Sequence, residues 1–354
     1  MAEDKQEHME KVESTQASAE PQVSAARSSR QAEAHDANGT RPLVVSPPPH
    51  LKAPDTTSKI MLTVIAALAP IMVYDIYLFK GAAINTLFWS IFGALLAEAG
   101  IQRLRRQRIT LYDCSALLTG ILFAMVLPPK VPFWLSFVGG FVSIALGKQI
   151  FGGLGHNIFN PALVGRAFVL IAWTKHLTSD WYEKVSVDTI SGATPLFVAK
   201  QLYQGTISAD LTKFYSTALF RNPYGSMGEV SALLIVLGFV ILLAFRVIDW
   251  RTPVAFIGSV FVLTWWAGRD AIFYTLSGGV LFGAVFMATD YVTSPVTKTG
   301  KVIFGLGCGF LTFLMRLYAS TPEAVAYAIL FMNALTPLID SYTRPRVFGA
   351  VKRA

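Results

Sequence analysis

The segment Asp188-Thr189-Ile190-Ser191-Gly192-Ala193-Thr194-Pro195-Leu196 presents a hydroxyl that could be esterified. Gly192 and Ala193 leave the Thr194 side chain unobstructed, and Pro195 stiffens the chain that follows. A free hydroxyl in an accessible loop can receive a phosphoryl group from a modifying enzyme, although on spacing alone a plain small-residue turn is the simpler reading. A second group of chemistry-bearing residues sits within or beside apolar runs: Asp75, Glu98, Asp113, Lys148, Arg166, Asp290 and Asp340. An ionisable side chain at membrane depth is costly unless paired or solvated, so each is a functional candidate first and a snorkelling helix-end residue second. Asp290 first, and after it Asp75 and Glu98, are the candidates for contact with a transported ion. Arg166 suits an anionic or carbonyl group, and His156 serves equally as a ligand or as a hydrogen bonder at a helix end.

Soluble catalytic signatures are missing. The sequence contains no Walker loop, no GxGxxG after a strand, no HExxH and no GxSxG. Gly152-Gly153-Leu154-Gly155 lacks the preceding strand and the following Lys-Ser/Thr of a phosphate loop, so it reads as a helix break. The two cysteines, Cys114 and Cys308, are far apart in apolar surroundings and form neither a metal pair nor a disulfide framework.

The elements that must carry these residues follow from composition. Of 354 residues 53% are hydrophobic and 15% charged, against about 25% charge in an ordinary soluble domain, which makes this an integral membrane protein. The 30 Lys and Arg against 22 Asp and Glu are explained by basic cytoplasmic loops, so no nucleic-acid partner is inferred. Ten hydrophobic runs follow Ser58, most of them near the ~20 residues that a crossing helix needs. Residues 1–57 are too polar to offset the entropy of ordering and read as a disordered cytoplasmic tail. The third run, Cys114 to Leu127, and the fifth, Pro161 to Trp173, are short, and Pro128-Pro129 and the Gly152 to Gly155 run interrupt them. Broken helices are tolerated at membrane depth only around a protein-enclosed cavity, so these breaks point to a site.

The short sequence echo between Gly120 to Val126 and Gly279 to Val285 implies two halves. Five crossings per half force opposite orientations. The expected architecture is an all-α polytopic membrane protein of about ten transmembrane helices, arranged as two inverted five-helix repeats. Residues 58–175 form the first half, 176–228 a periplasmic loop that carries the Thr194 motif, 229–340 the second half and 341–354 a cytoplasmic tail. The broken stretches Gly152 to Pro161 and Ala288 to Pro295 are expected to follow the third helix of each half and to face one another. Arg103, Arg105, Arg106 and Arg108 place their connection, and both termini, in the cytoplasm.

Asp188 to Thr194 resembles the D-x-x-[ST]-x-A-T signature at which a flavin transferase joins FMN to threonine through a phosphoester. Further stretches extend the likeness over most of the membrane part. They include Gly152 to Ala162, Ala288 to Ser294 and Pro337 to Gly349. The chain is thereby similar to a family that includes the D subunit of the Rnf ion-translocating electron-transport complex and the B subunit of the sodium-pumping NADH:quinone reductase. Tyr-Thr-Arg-Pro-Arg-Val at the end favours the former, whereas Tyr291 stands where the family usually has proline. The resemblance implies a bacterial inner-membrane subunit with covalent FMN on Thr194, with Asp188, Ser191, Gly192 and Ala193 as the attachment motif. The implied partners are the other subunits of the complex, the flavin transferase and membrane lipid. The complex would couple electron transfer between ferredoxin and NAD to Na+ or H+ transport. A second, noncovalent riboflavin near Asn157, Asn160 and Arg166 is implied by the quinone-reductase likeness. Without the resemblance, a solute channel or transporter on the same repeats, lacking any redox group, remains open.

Overall fold

Hydrophobic runs of the right length become helices because a backbone in lipid must satisfy its own N–H and C=O groups. The computed structural model describes residues 56–178, 219, 225–318 and 324–344, and among them the regular structure is helical throughout. The N-terminal tail to residue 55, the Asp188 to Thr194 motif and residues 345–354 lie outside the described residues. Helix α1 (Thr57–Phe79) starts where Thr56 accepts a hydrogen bond from Lys59 N at 3.3 Å, within a residue or two of the boundary read from composition. It is followed by α2 (Gly81–Leu104). Two late helices, α11 (Lys298–Tyr318) and α12 (Ala324–Thr343), match them in length, and these four are long and apolar enough to cross a membrane.

Between them the helices are shorter. Helices α3 (Ser115–Met125) and α5 (Pro161–Ala172) have 11 and 12 residues. At 1.5 Å per residue each reaches only about 16–18 Å, roughly half of a ~30 Å hydrocarbon core. Helix α4 (Phe133–Ile144) continues into a π turn, Ala145–Gln149. After α5 come the short α6 (Thr174–Thr178), then α7 (Ala232–Ala244) and α8 (Arg251–Trp266).

The apolar run Ala271 to Ala288, continuous in sequence, is not one helix. It divides into α9 (Ala271–Leu276), a Ser277-Gly278-Gly279 break, α10 (Val280–Phe282) and a second π turn, Gly283–Met287. Gly278 and Gly279 have φ of 69° and 70°, a left-handed conformation that costs glycine nothing. A second correction concerns order along the chain. Ala288 to Pro295 follows the third run of its half, but Gly152 to Pro161 follows the fourth helix, so the two breaks are not equivalent positions of a repeat.

The same helix pairing occurs in both halves. Helix α2 lies against α4, where a Cβ on Gly93 would overlap Phe137 O and one on Gly140 would overlap Ser90 O. Helix α8 lies against α11, where Gly305 and Gly309 approach the carbonyls of Thr252 and Phe256. Small residues let helix backbones meet closely where lipid offers no hydrophobic drive for association. Gly140→Ala is therefore expected to push α4 away from α2 and to cost about 1–3 kcal/mol, read as a lower unfolding temperature in detergent. A variant as stable as wild type would show that the pair has slack. Across the centre, Leu68 and Ile71 of α1 pack in one buried cluster with Phe123, Met125, Val280, Phe286 and Phe304.

Candidate functional site

The two broken stretches meet at the centre of the bundle. Asn160 caps the short helix α5 by accepting from Ala162 N at 3.0 Å, while its Nδ2 donates to Met287 O at 3.2 Å, at the end of the second π turn. Asn333, midway along α12, closes the junction when its amide is oriented with Nδ2 donating to Thr293 O (3.3 Å) and Oδ1 accepting from Asn160 N (3.1 Å). The opposite orientation sets like groups against each other. Thr336 Oγ1 also donates to Thr293 O, at 2.9 Å. These bonds satisfy backbone that leaves helical geometry inside the membrane part, which is the condition for such breaks to exist there.

A cavity of about 80 Å³ opens beside this junction, lined among others by Asn157, Asn160, Thr289, Asp290, Lys148 and Ser115. Two or three waters would fill it, at ~30 Å³ each. Asn157, which lines the cavity, is buried, and its Oδ1 has no hydrogen-bond partner. Asp290 is half-buried. It accepts from Thr293 Oγ1 at 3.1 Å and makes no salt bridge among the described residues. The N-terminus of α5 points its partial positive charge at the same region. This arrangement can hold water and a small cation or proton near a carboxylate.

Glu98 has a different setting. Lys148, carried by the π turn after α4, donates to Glu98 Oε2 at 2.8 Å, to Oε1 at 3.0 Å and to Ser115 Oγ at 2.6 Å. Gln102 and Gln149 donate to Glu98 Oε1 at 2.7 and 2.9 Å. Ser115 Oγ in turn donates to Asp113 Oδ1 at 2.7 Å. The carboxylate is thus saturated by protein donors, and an ion would have to displace Lys148 to reach it. Lys148 was one of the intramembrane charges singled out in the sequence, but its pairing with Glu98 was not read there. Two opposite intramembrane charges were the signal that could have paired them.

Arg166 is not in the cavity lining. Six residues into α5, its guanidinium donates to Val126 O at the C-terminal end of α3 and caps the helix that Pro128-Pro129 terminates. Its predicted affinity for a carbonyl is met by the protein's own backbone. His156 is exposed, and Asp340 accepts from Val296 N at 3.1 Å as a loop clamp. Tyr291 donates its hydroxyl to Val247 O and lines both the central cavity and an open pocket of about 570 Å³ beyond it. At the rim of that pocket burial raises the Asp249 pKa, but the Arg251 N–H, Lys301 and the Arg251 guanidinium outweigh it and hold the carboxyl below its usual value. The Asp249 clamp therefore contributes above the ordinary carboxylate range and is lost as pH falls.

Long apolar helices, half-length helices and a polar cavity where broken backbone meets define a polytopic membrane protein of the kind that moves ions or small solutes. The chain belongs to the NQR2, RnfD, RnfE family, which matches residues 44–349. It is 41% identical over 310 residues to the D subunit of the Na(+)-translocating ferredoxin:NAD(+) oxidoreductase complex of Acetobacterium woodii, covering 88% of this chain and 96% of that protein. It is equally 41% identical over 318 residues to the D subunit of the proton-translocating ferredoxin:NAD(+) oxidoreductase complex of Clostridium ljungdahlii, covering 86% and 96%. The D subunit of an ion-translocating oxidoreductase complex from Stutzerimonas stutzeri is 37% identical over 327 residues, covering 83% and 92%. Equal identity to a sodium and a proton relative means that overall similarity does not select the ion.

Proposed function

We propose that this chain is a membrane electron-transfer subunit of a complex that couples electron transfer between ferredoxin and NAD+ to Na+ or H+ translocation, and that FMN is esterified to Thr194. The observation that carries this reading is the Asp188-x-x-Ser191-Gly192-Ala193-Thr194 motif in a chain whose relatives are named as subunits of such complexes. FMN supplies one- and two-electron redox chemistry. In the proposed topology the chain crosses the bacterial inner membrane about ten times as two inverted halves, its termini lie in the cytoplasm and the Thr194 loop is periplasmic. The other subunits of the complex and a flavin transferase are its partners.

The central cavity contributes to the ionic half of this function. Asp290 offers charge and Thr289 a neutral oxygen at the cavity wall, and the charge of Asp290 offsets the partial positive end of α5. Tyr291, bonded to Val247 O, separates the cavity from the wider pocket. A riboflavin is a poor fit for the same residues. The cavity holds about 80 Å³, well below the ~300 Å³ of small ligand sites, and Arg166 is engaged elsewhere.

Membranes from cells that lack this chain are expected to lose ferredoxin-dependent NAD+ reduction coupled to ion uptake, and re-expression to restore it. Coupling that survives the deletion would overturn the reading. With an assembled complex, Asp290→Ala is expected to impair ion uptake per NAD+ reduced while covalent flavin remains. Normal coupling in such vesicles would reduce the cavity to packing.

A further inference from the structure

Asp75 lies in α1 with no exposed surface, and neither carboxylate oxygen has a hydrogen-bond partner. No other described carboxylate has both oxygens buried and unsatisfied in this way. Met61, Val64, Leu68, Ile71 and Asp75 recur at alternating spacings of three and four, so they share one face of the helix. Met61 and Val64 line the central cavity, and Leu68 and Ile71 are fully buried beyond it. Asp75 continues this stripe about 16 Å past Val64. It therefore occupies the half of the span opposite the cavity, behind an apolar plug.

The elements packed against α1 are α2, α3, α7 and the 3-10 turns Leu111–Asp113 and Met227–Glu229. Their charged residues are Glu98, Arg103, Asp113 and Glu229. Asp113 lies at the opposite end of α1, where Ser58 Oγ donates to Tyr112 O. Arg103 is in the last turn of α2, and Glu98 is paired with Lys148. Glu229 remains, an anion that accepts from Ser226 Oγ at 2.6 Å. Arg316, the cation near Glu229, donates to the carbonyls of Tyr274, Ser277 and Gly278, and Lys80 caps the end of α1 five residues on. Among the described residues Asp75 makes neither a hydrogen bond nor a salt bridge, and an unpaired carboxylate in apolar surroundings neutralises by taking a proton. A sodium ion would need several further oxygen ligands there, whereas a proton needs only one carboxylate oxygen.

We propose that Asp75 is a proton-binding station on the translocation path, on the far side of the Leu68–Ile71 plug from the Asp290 cavity. The step is a proton exchange without electron transfer: the carboxylate takes up H+ to form the neutral acid and returns H+ to the aqueous phase. The proposal rests on the ion-translocating reading of the complex.

Dicyclohexylcarbodiimide tests it on the whole complex in native membranes. A protonated carboxyl in apolar surroundings adds across one C=N bond, and the acyl group then moves to nitrogen, so the N-acylurea keeps the full mass of the reagent. The peptide containing Asp75 is expected to gain that mass in wild type, with no protection by added NaCl, and not in Asp75→Asn. In vesicles where wild type moves ions, Asp75→Asn is expected to lower the ions moved per NAD+ reduced by roughly tenfold or more, with Asp75→Glu restoring most of it. An unlabelled Asp75, protection by Na+, or an undiminished ratio in Asp75→Asn overturns the proposal. Wild-type vesicles that reduce NAD+ but move no ion overturn the reading beneath it instead, and the station with it. If Asp75→Asn does not assemble, labelling of the wild-type complex and the Asp75→Glu ratio decide.

Discussion

In-gel flavin fluorescence after boiling in SDS is expected from the wild-type chain and wholly absent from Thr194→Val. Valine keeps the size and branching of threonine and removes only the hydroxyl, so the phosphoester has no oxygen through which to form. A noncovalent flavin washes away when the protein unfolds; an ester-linked one does not. The expected effect is therefore all or none. The neighbouring residues give a graded control: Ala193→Leu crowds the hydroxyl without deleting it and should reduce the signal. Fluorescence retained by Thr194→Val would show that flavin is attached elsewhere or that another fluorophore is present. The complex should still assemble, because the substitution falls outside the long apolar runs of the sequence.

The second large effect concerns Lys148. Its ammonium makes three hydrogen bonds, two to Glu98 and one to Ser115, with almost no exposure. Lys148→Met leaves the Glu98 carboxylate buried with only the Gln102 and Gln149 amides. Breaking one side of a buried pair costs about 3–5 kcal/mol, because the remaining charge is uncompensated. Lys148→Met combined with Glu98→Met is expected to recover most of this loss, since two apolar side chains of similar volume need no charge balance. Thermal unfolding of the detergent-solubilised complex, run as a double-mutant cycle, measures the coupling. A single variant within about 1 kcal/mol of wild type would mean that water or a bound cation replaces the ammonium. If the double variant is stable but uncoupled, the pair works in translocation as well as in folding.

The membrane class, the start of α1, the shortness of α3 and α5 and the glycine break near residue 152 were legible in the residues alone. Each depends on local quantities: the apolarity of a run, the length needed to cross, or a cap and a φ that glycine alone adopts cheaply. The Thr194 motif is local in the same sense, and the resemblance that explains it needed only contiguous residues. The break at Gly278-Gly279 was carried by two glycines, but the apolar residues on both sides concealed it, since hydropathy does not register backbone conformation.

Only the packed fold could join residues far apart in the chain. Glu98 meets Lys148 across 50 residues, and Asn160 meets Met287 across 127. Whether Arg166 bound a ligand or capped a helix turned on where the end of α3 lies. Whether Asp75 was paired or alone turned on every helix around α1. A charge within an apolar run shows that some compensation is required. Which partner supplies it is set by the handful of side chains that packing brings within about 3 Å.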